Sequence, residues 1–199
     1  MIDAHCARLH AAPALPHAPA RVAILTGQAR LDQSPLPPAQ AAFLAAVTPP
    51  GWQAVAGGFP WEGTPPAPPA PFAQAAAASI RQYLWARLSR RYARAAGAAI
   101  ARLMRASDRL ALITGSAGLA ILNAAEPVLP ATSLTVIALG PAGRAPRLPC
   151  RFHVIRARGD HWARLLGPAA DRLIPGDHYS YWTSAEARRA VAAILRNAA

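Results

Sequence analysis

Three residues that can act together in nucleophilic catalysis occur in the order serine, aspartate, histidine, each close to the end of a predicted element. Ser116 lies in TGSAG (114–118), at the end of an apolar run; Asp160 follows the apolar segment RFHVIRA (151–157); His178 lies in a loop before the last predicted helix. In such a set the imidazole removes the serine proton and the carboxylate orients the imidazole. Each residue also has a structural interpretation, as a turn serine, a helix-capping aspartate or a packing histidine.

The local sequence around Ser116 fits a sharp turn from a strand into a helix. Such a turn holds the serine hydroxyl clear of the sheet and needs small residues two places before and two places after the serine. Thr114 and Gly118 occupy those places. The turn also puts the Ala117 N–H at a helix N-terminus, where it is predicted to bind a developing oxyanion. A tight turn with no chemical role is the alternative.

The elements that must position these residues alternate along the chain. Apolar, β-branched runs of strand length are separated by alanine-rich segments of helical length. The alternation predicts an α/β fold, with a mainly parallel five-stranded sheet and helices on both faces, in which functional groups gather at the carboxyl ends of the strands. The predicted strands are 21–26, 52–56, 109–114, 133–140 and 151–157, and the predicted helices are 39–47, 72–106, 115–125, 161–167 and 183–198.

The helical segment 72–106 is long for one helix, and a break is expected near 75–79 or at Gly97. Its apolar residues recur at helical spacing and predict one buried stripe, whereas most of its arginines lie off that stripe, as on a solvated face or a docking surface. The predicted stripe consists of Ile80, Leu84, Leu88, Tyr92, Ala96, Ala99 and Leu103.

The domain organisation is predicted to be simple. Residues 1–20 are interpreted as an N-terminal arm and 21–199 as a single domain, with 57–80 as a possible lid. No apolar run is long enough to span a membrane, and the N-terminus lacks the apolar core of a secretion signal, so a cytoplasmic location is expected.

The order and placement of the three residues make residues 21–198 resemble the α/β-hydrolase superfamily, in particular its compact serine hydrolases such as small thioesterases and cutinase-like members. The resemblance implies a minimal three-layer αβα core and no cofactor. It implies Ser116 as nucleophile, Asp160 as acid and His178 as base. It also implies that Thr26-Gly27-Gln28 (26–28) forms an oxyanion loop, in which Gln28 supplies a second backbone N–H.

Three departures from the family pattern are visible in the sequence. Thr114 stands where the serine motif usually has glycine, and the oxyanion loop lacks the common His-Gly pair. The first two strands of the family, and the strand that precedes its histidine, are not found. The resemblance therefore also fits a hydrolase fold that has lost its activity and serves as a subunit of an assembly.

The aromatic residues around these motifs suggest an acyl-binding site. In the Pro/Gly-rich loop 57–71 and just after it, Phe59, Trp61 and Phe72 are predicted to line an acyl pocket. Tyr179, with Tyr181 and Trp182, would form the other wall beside the histidine. Packing in the core explains any one of them equally well. The expected substrate is an acyl thioester or an ester, and the acyl group passes to water or to another acceptor.

The charge of the chain bears on its partners. The formal net charge is +12, and all 21 basic residues are arginine. The lack of lysine excludes Schiff-base and P-loop chemistry. The charge favours an acidic substrate or partner, such as an acyl-CoA or an acidic acyl carrier protein. A basic binding protein is the competing class, but nucleic acid is not favoured because the arginines are scattered and no nucleic-acid motif occurs. No residues have metal-ligand spacing.

Overall fold

The computed structural model describes residues 1–61, 70–130 and 132–198, without the Phe72 side chain. Six strands form one sheet in the order β2-β1-β3-β4-β5-β6, and every neighbouring pair is parallel. The predicted α/β class is thus confirmed, with six strands rather than five. The strands are β1 (Ala18–Thr26), β2 (Gln53–Ala54), β3 (Ser107–Ser116), β4 (Ser133–Pro141), β5 (Arg151–Ala157) and β6 (Arg172–Ile174).

The additional strand is β6, and it lies directly before the histidine loop. The interpretation that the chain lacks this strand was therefore wrong. Its three residues pair with the end of β5, with Ile155 opposite Arg172 and Ala157 opposite Ile174. Three residues are too few for a strand periodicity to be read in the sequence.

Seven helices cover the two faces of the sheet within the described residues. Alternate side chains of β3 divide between the faces: Leu110 and Leu112 pack with α1, α4 and α5, whereas Ala111 and Ile113 pack with α2 and α7. This alternation produces the three-layer arrangement. The helices are α1 (Ile2–Ala11), α2 (Pro38–Val47), α3 (Phe72–Leu88), α4 (Arg90–Arg105), α5 (Gly118–Ala125), α6 (His161–Leu166) and α7 (Ala185–Ala198).

The long helical segment breaks at Ser89, not at the two predicted places. The Ser89 hydroxyl accepts a hydrogen bond from the Tyr92 N–H at 3.2 Å and so caps α4. The predicted stripe is buried from Tyr92 onward, but its first three members, Ile80, Leu84 and Leu88, are exposed. Because of the break, a different face of α3 packs against the rest of the protein. The fully buried Gln82 lies on this inner face.

The N-terminal segment is more structured than an arm. Helix α1 buries Cys6 and Leu9, and Arg102 of α4 donates a hydrogen bond to the Leu9 carbonyl. Strand β1 begins at Ala18, ahead of the predicted boundary at residue 21. None of the helices in the described ranges is both long and apolar enough to cross a membrane.

Candidate active site

Ser116 is the last residue of β3 and begins a strained turn into α5. Its φ is +48°, a left-handed conformation that costs a residue other than glycine of the order of 1–2 kcal/mol. The turn is tight because α5 passes close to β1: a Cβ at Gly118 would lie 1.9 Å from the Leu25 carbonyl oxygen. Glycine at 118 therefore permits the close approach, and the strand-to-helix turn predicted from TGSAG is present.

Ala117 is the N-cap residue of α5. The N–H groups in the first turn of a helix have no partner within the helix, and the helix dipole makes this end positive. A negative oxygen beside Ser116 would be stabilised at such a position, as the sequence predicted for the Ala117 N–H.

Asp160 lies between the end of β5 and the start of α6, and its carboxylate is buried. Oδ1 accepts a hydrogen bond from the Ala163 N–H at 2.9 Å, and Oδ2 accepts one from His178 Nδ1, also at 2.9 Å. Asp160 therefore caps α6 with one oxygen and accepts a hydrogen bond from an imidazole with the other. Burial alone would raise the pKa of this carboxyl, but the hydrogen bonds that it accepts, with the one from His178 foremost, outweigh burial and lower that pKa.

His178 connects Asp160 to Ser116. Its Nε2 lies 3.3 Å from the Ser116 Oγ. Because a carboxylate only accepts hydrogen bonds, Nδ1 carries the proton and the lone pair of Nε2 faces the serine hydroxyl. The three candidate catalytic residues are therefore brought together in the order required for proton transfer from serine.

The histidine is held by a compact turn after β6. The Asp177 N–H donates to Ser180 Oγ, and the Tyr179 N–H donates to Asp177 Oδ1, both at 2.9 Å. The Gly159 N–H donates to the Gly176 carbonyl at 2.9 Å and ties this turn to the segment that carries Asp160. Asp177 thus shapes the turn.

Tyr181 has a role in the site that the sequence did not predict. It was predicted to form a wall of the acyl pocket, but it is buried, and its hydroxyl donates to Asp160 Oδ2 at 2.7 Å. The same hydroxyl accepts from the Ala157 N–H at 2.8 Å. The spacing of three residues from His178 was the only signal, and such a spacing is common.

The predicted oxyanion loop is held by α3. The Gln28 N–H donates to Gln82 Oε1 at 3.2 Å, and Gln82 Nε2 donates back to the Gln28 carbonyl at 2.9 Å. Gln82 is fully buried. The N–H predicted as the second oxyanion donor is therefore engaged by a side-chain amide in this structure.

The predicted acyl-pocket residues do not form one wall. Phe59 and Trp61 are 1% and 2% exposed and pack in the core, and Trp61 Nε1 donates to the Ile24 carbonyl at 3.1 Å. Both side chains therefore face inward, and their role in lining a substrate pocket stays a prediction. Tyr179 is 64% exposed and packs edge-on against the His178 ring, with the ring centroids 5.4 Å apart.

Two parts of the predicted pocket lie outside the description. Residues 62–69 of the possible lid (57–80) and the Phe72 side chain are not among the described residues. Within the ranges that are described, no group of three or more His, Cys, Asp and Glu side chains could hold a metal ion.

Comparison with solved structures finds a crystal structure of a candidate hydrolase of the alpha/beta superfamily from Xanthomonas campestris pv. campestris. The two chains are 17% identical and superpose with a TM-score of 0.41, covering 92% of this chain and 99% of the other. No protein-family model matches the sequence, and no curated protein matches it significantly. The chemistry of this chain therefore has to be inferred from the geometry of its own residues.

Proposed function

We propose that the protein is a serine-dependent acyl hydrolase or acyltransferase. The observation that carries this proposal is the hydrogen-bonded series Ser116–His178–Asp160, with 3.3 Å from Oγ to Nε2 and 2.9 Å from Nδ1 to Oδ2. The series lies at the carboxyl end of a parallel sheet, where functional groups of such sheets gather.

The mechanism follows from the protonation states that the hydrogen bonds impose. Ser116 Oγ attacks the carbonyl carbon of the substrate while His178 Nε2 takes the hydroxyl proton. The resulting imidazolium is stabilised by Asp160, and it gives its proton to the departing alcohol or thiol as the carbon–oxygen or carbon–sulfur bond breaks. Water, or another nucleophile, then attacks the acyl-serine with His178 again as the base, and Ser116 is regenerated.

The negative oxygen of each tetrahedral intermediate needs hydrogen-bond donors. In this proposal the Ala117 N–H supplies one donor and the Gln28 N–H supplies the second. The Gln28 N–H serves only if the oxyanion replaces Gln82 Oε1 as its acceptor, or shares it. One such donor contributes about 3 kcal/mol of transition-state stabilisation.

The proposed substrate class is an acyl thioester, with a carboxylic ester as the close alternative. Tyr179, exposed beside the imidazole, is the predicted substrate-binding residue that remains at the surface. The net charge of +12 favours an acidic leaving group, such as coenzyme A or an acidic acyl carrier protein. No cofactor is needed for this chemistry.

A fluorophosphonate probe tests the nucleophile directly. Wild-type protein should be labelled at Ser116, as mapped by mass spectrometry of the labelled peptide. Labelling should be absent in Ser116→Ala and strongly slowed in His178→Ala and Asp160→Ala. His161→Ala is the matched control, because this exposed histidine follows Asp160 in sequence but lies outside the hydrogen-bonded series. Absence of wild-type labelling would favour the alternative of an inactive hydrolase fold or a basic binding protein.

The choice of substrate is tested by three acyl donors with the same acyl chain. An acyl-CoA, the corresponding acyl-pantetheine and the p-nitrophenyl ester differ in the acidic phosphoadenosine part and in the leaving atom. Recognition of an acidic carrier predicts the highest kcat/KM for the acyl-CoA, and this preference should fall as salt is raised. Equal values for the two thioesters at low salt would contradict recognition of coenzyme A through its acidic phosphoadenosine part.

A further inference from the structure

We propose that Tyr181 is a positioning residue of this site: its hydroxyl holds Asp160 Oδ2 and, by sharing that oxygen with His178, sets the pH at which the relay becomes active. The inference rests on the proposed function, since it assigns a fourth member to the same relay.

The geometry gives the hydroxyl a defined task. Asp160 Oδ2 accepts two hydrogen bonds, from Tyr181 OH at 2.7 Å and from His178 Nδ1 at 2.9 Å. The hydroxyl is itself fixed by the Ala157 N–H at 2.8 Å, which leaves its proton directed at the carboxylate. A backbone group of β5 thus determines where the tyrosine donates, and the tyrosine determines the orientation of the carboxylate.

The packing around the pair leaves little room for another arrangement. Gly140, at the end of β4, has φ +53°, and a Cβ there would lie 2.4 Å from Tyr181 Cε2 and 2.7 Å from Asp160 Oδ2. A side chain at 140 would push on both partners of the hydrogen bond. The Tyr181 ring and the Asp160 carboxylate therefore pack directly against the backbone of Gly140, where a side chain has no room.

The electrostatic effect follows from the sharing of one oxygen. Burial, with the neighbouring carboxylate, raises the pKa of the Tyr181 hydroxyl, which therefore remains a donor across the usual pH range. The hydrogen bond that it gives favours the ionised form of Asp160, whose pKa is lowered. Because the Tyr181 hydroxyl and His178 Nδ1 bind the same oxygen, this hydrogen bond also weakens the attraction between the carboxylate and a protonated imidazole. Removing the hydroxyl makes the carboxylate more basic.

The other charges that act on the pair are few. Asp160 and Tyr181 act on each other. Among the described residues, the other titratable or charged side chains that act on them are His178, from the loop that carries Tyr181, and Arg156 of β5. From β4 the pair meets Gly140, which brings no charge. Because Asp160 and His178 titrate as a coupled pair, the readout is the pH profile of the relay.

The experiment follows the second-order rate of fluorophosphonate labelling of Ser116 from pH 5 to 9 in Tyr181→Phe. The acidic limb should move to higher pH by about 0.3–1 unit, because the carboxylate has lost a donor to its charged form. Site-specific replacement of Tyr181 by 3-fluorotyrosine keeps the ring and provides a stronger donor, so the limb should move to lower pH. The matched control is Tyr92→Phe, since the hydroxyl of this buried tyrosine has no hydrogen-bond partner among the described residues.

The outcomes separate the inference from the proposed function. No labelling of wild-type Ser116 would overturn the proposed function itself. Labelling of the wild type, with the same acidic limb in Tyr181→Phe and the fluorotyrosine variant, would show that the hydroxyl only completes the packing. The fluorotyrosine arm decides the question even if Tyr181→Phe folds poorly. Opposite shifts in the two variants, with none in Tyr92→Phe, would establish the role.

Discussion

Glycine at position 116 should make the protein more stable than alanine does, although both substitutions remove the proposed nucleophile. Ser116 has φ +48°, where side chains are strained and glycine is not. Both variants lose the contact between the hydroxyl and His178, so the difference between them reports the backbone alone.

The size of the effect follows from two opposing terms. The left-handed conformation costs an L-residue roughly 1–2 kcal/mol, which glycine avoids. Glycine in turn loses more freedom on folding, which costs roughly 0.5–1 kcal/mol relative to alanine. The two ranges differ by about 0–1.5 kcal/mol in favour of glycine, with a central value of about 0.75 kcal/mol. For a chain of 199 residues this central value corresponds to a rise in Tm of about 1.5–3 °C.

The assay is thermal and urea unfolding of Ser116→Gly and Ser116→Ala side by side. Ala77→Gly, at an exposed position in α3, is the control and should lose about 1 kcal/mol, because its backbone is helical. Greater stability of the alanine variant would refute the strained turn. It would also remove the main structural reason for the position of the Ser116 hydroxyl.

Two further substitutions test the surroundings of the turn. Asp160→Asn should reduce kcat/KM by about 10³–10⁴-fold, measured with the best donor of the panel, because an amide placed at the imidazole favours the wrong tautomer. The lowered pKa of Asp160 means that its contribution to stability is present above the unfolded-state value near pH 4 and is lost as pH falls through the folded-state value. The stability difference between wild type and this variant, from urea unfolding, should therefore shrink below about pH 4, and an unchanged difference would contradict this. Gly118→Ala should lower the free energy of unfolding by about 3 kcal/mol or more, since its methyl would meet the Leu25 carbonyl at 1.9 Å. Gly58→Ala is the control: its nearest neighbour would be at 3.4 Å, and a Tm loss as large as that of Gly118→Ala would refute the steric reason.

The parts of the fold that could be predicted are the longer elements, in which the residue types follow one consistent pattern. Strands β1, β3 and β4 are buried on both faces over most of their length and therefore contain continuous apolar runs. Strand β6 has three residues and is recognisable only by its pairing with β5. The break at Ser89 could not be located, because a serine between two helical patterns fits a helix interior as well as a cap.

The candidate site divides in the same way. Ser116 and Asp160 could be proposed from their position after predicted strands, since parallel strands bring their carboxyl ends to one edge. Contacts between side chains distant in sequence could not be proposed. Gln82 binds the Gln28 peptide across 54 positions, and nothing in the alanine-rich sequence around it indicates a buried amide. The burial of Phe59 and Trp61 could not be predicted either, because exposure cannot be read from residue type.

Asp160 shows why two competing interpretations of one residue need not exclude each other. A carboxylate has two oxygens, and here Oδ1 caps α6 through the Ala163 N–H while Oδ2 receives His178 Nδ1. The cap does not depend on the histidine, so it holds the carboxylate in orientation before the imidazole is charged. Preorganised groups of this kind stabilise a developing charge without reorganising at the moment of reaction. The six-residue α6 thus supports the proposed relay by orienting the Asp160 carboxylate, although α6 itself takes no part in proton transfer.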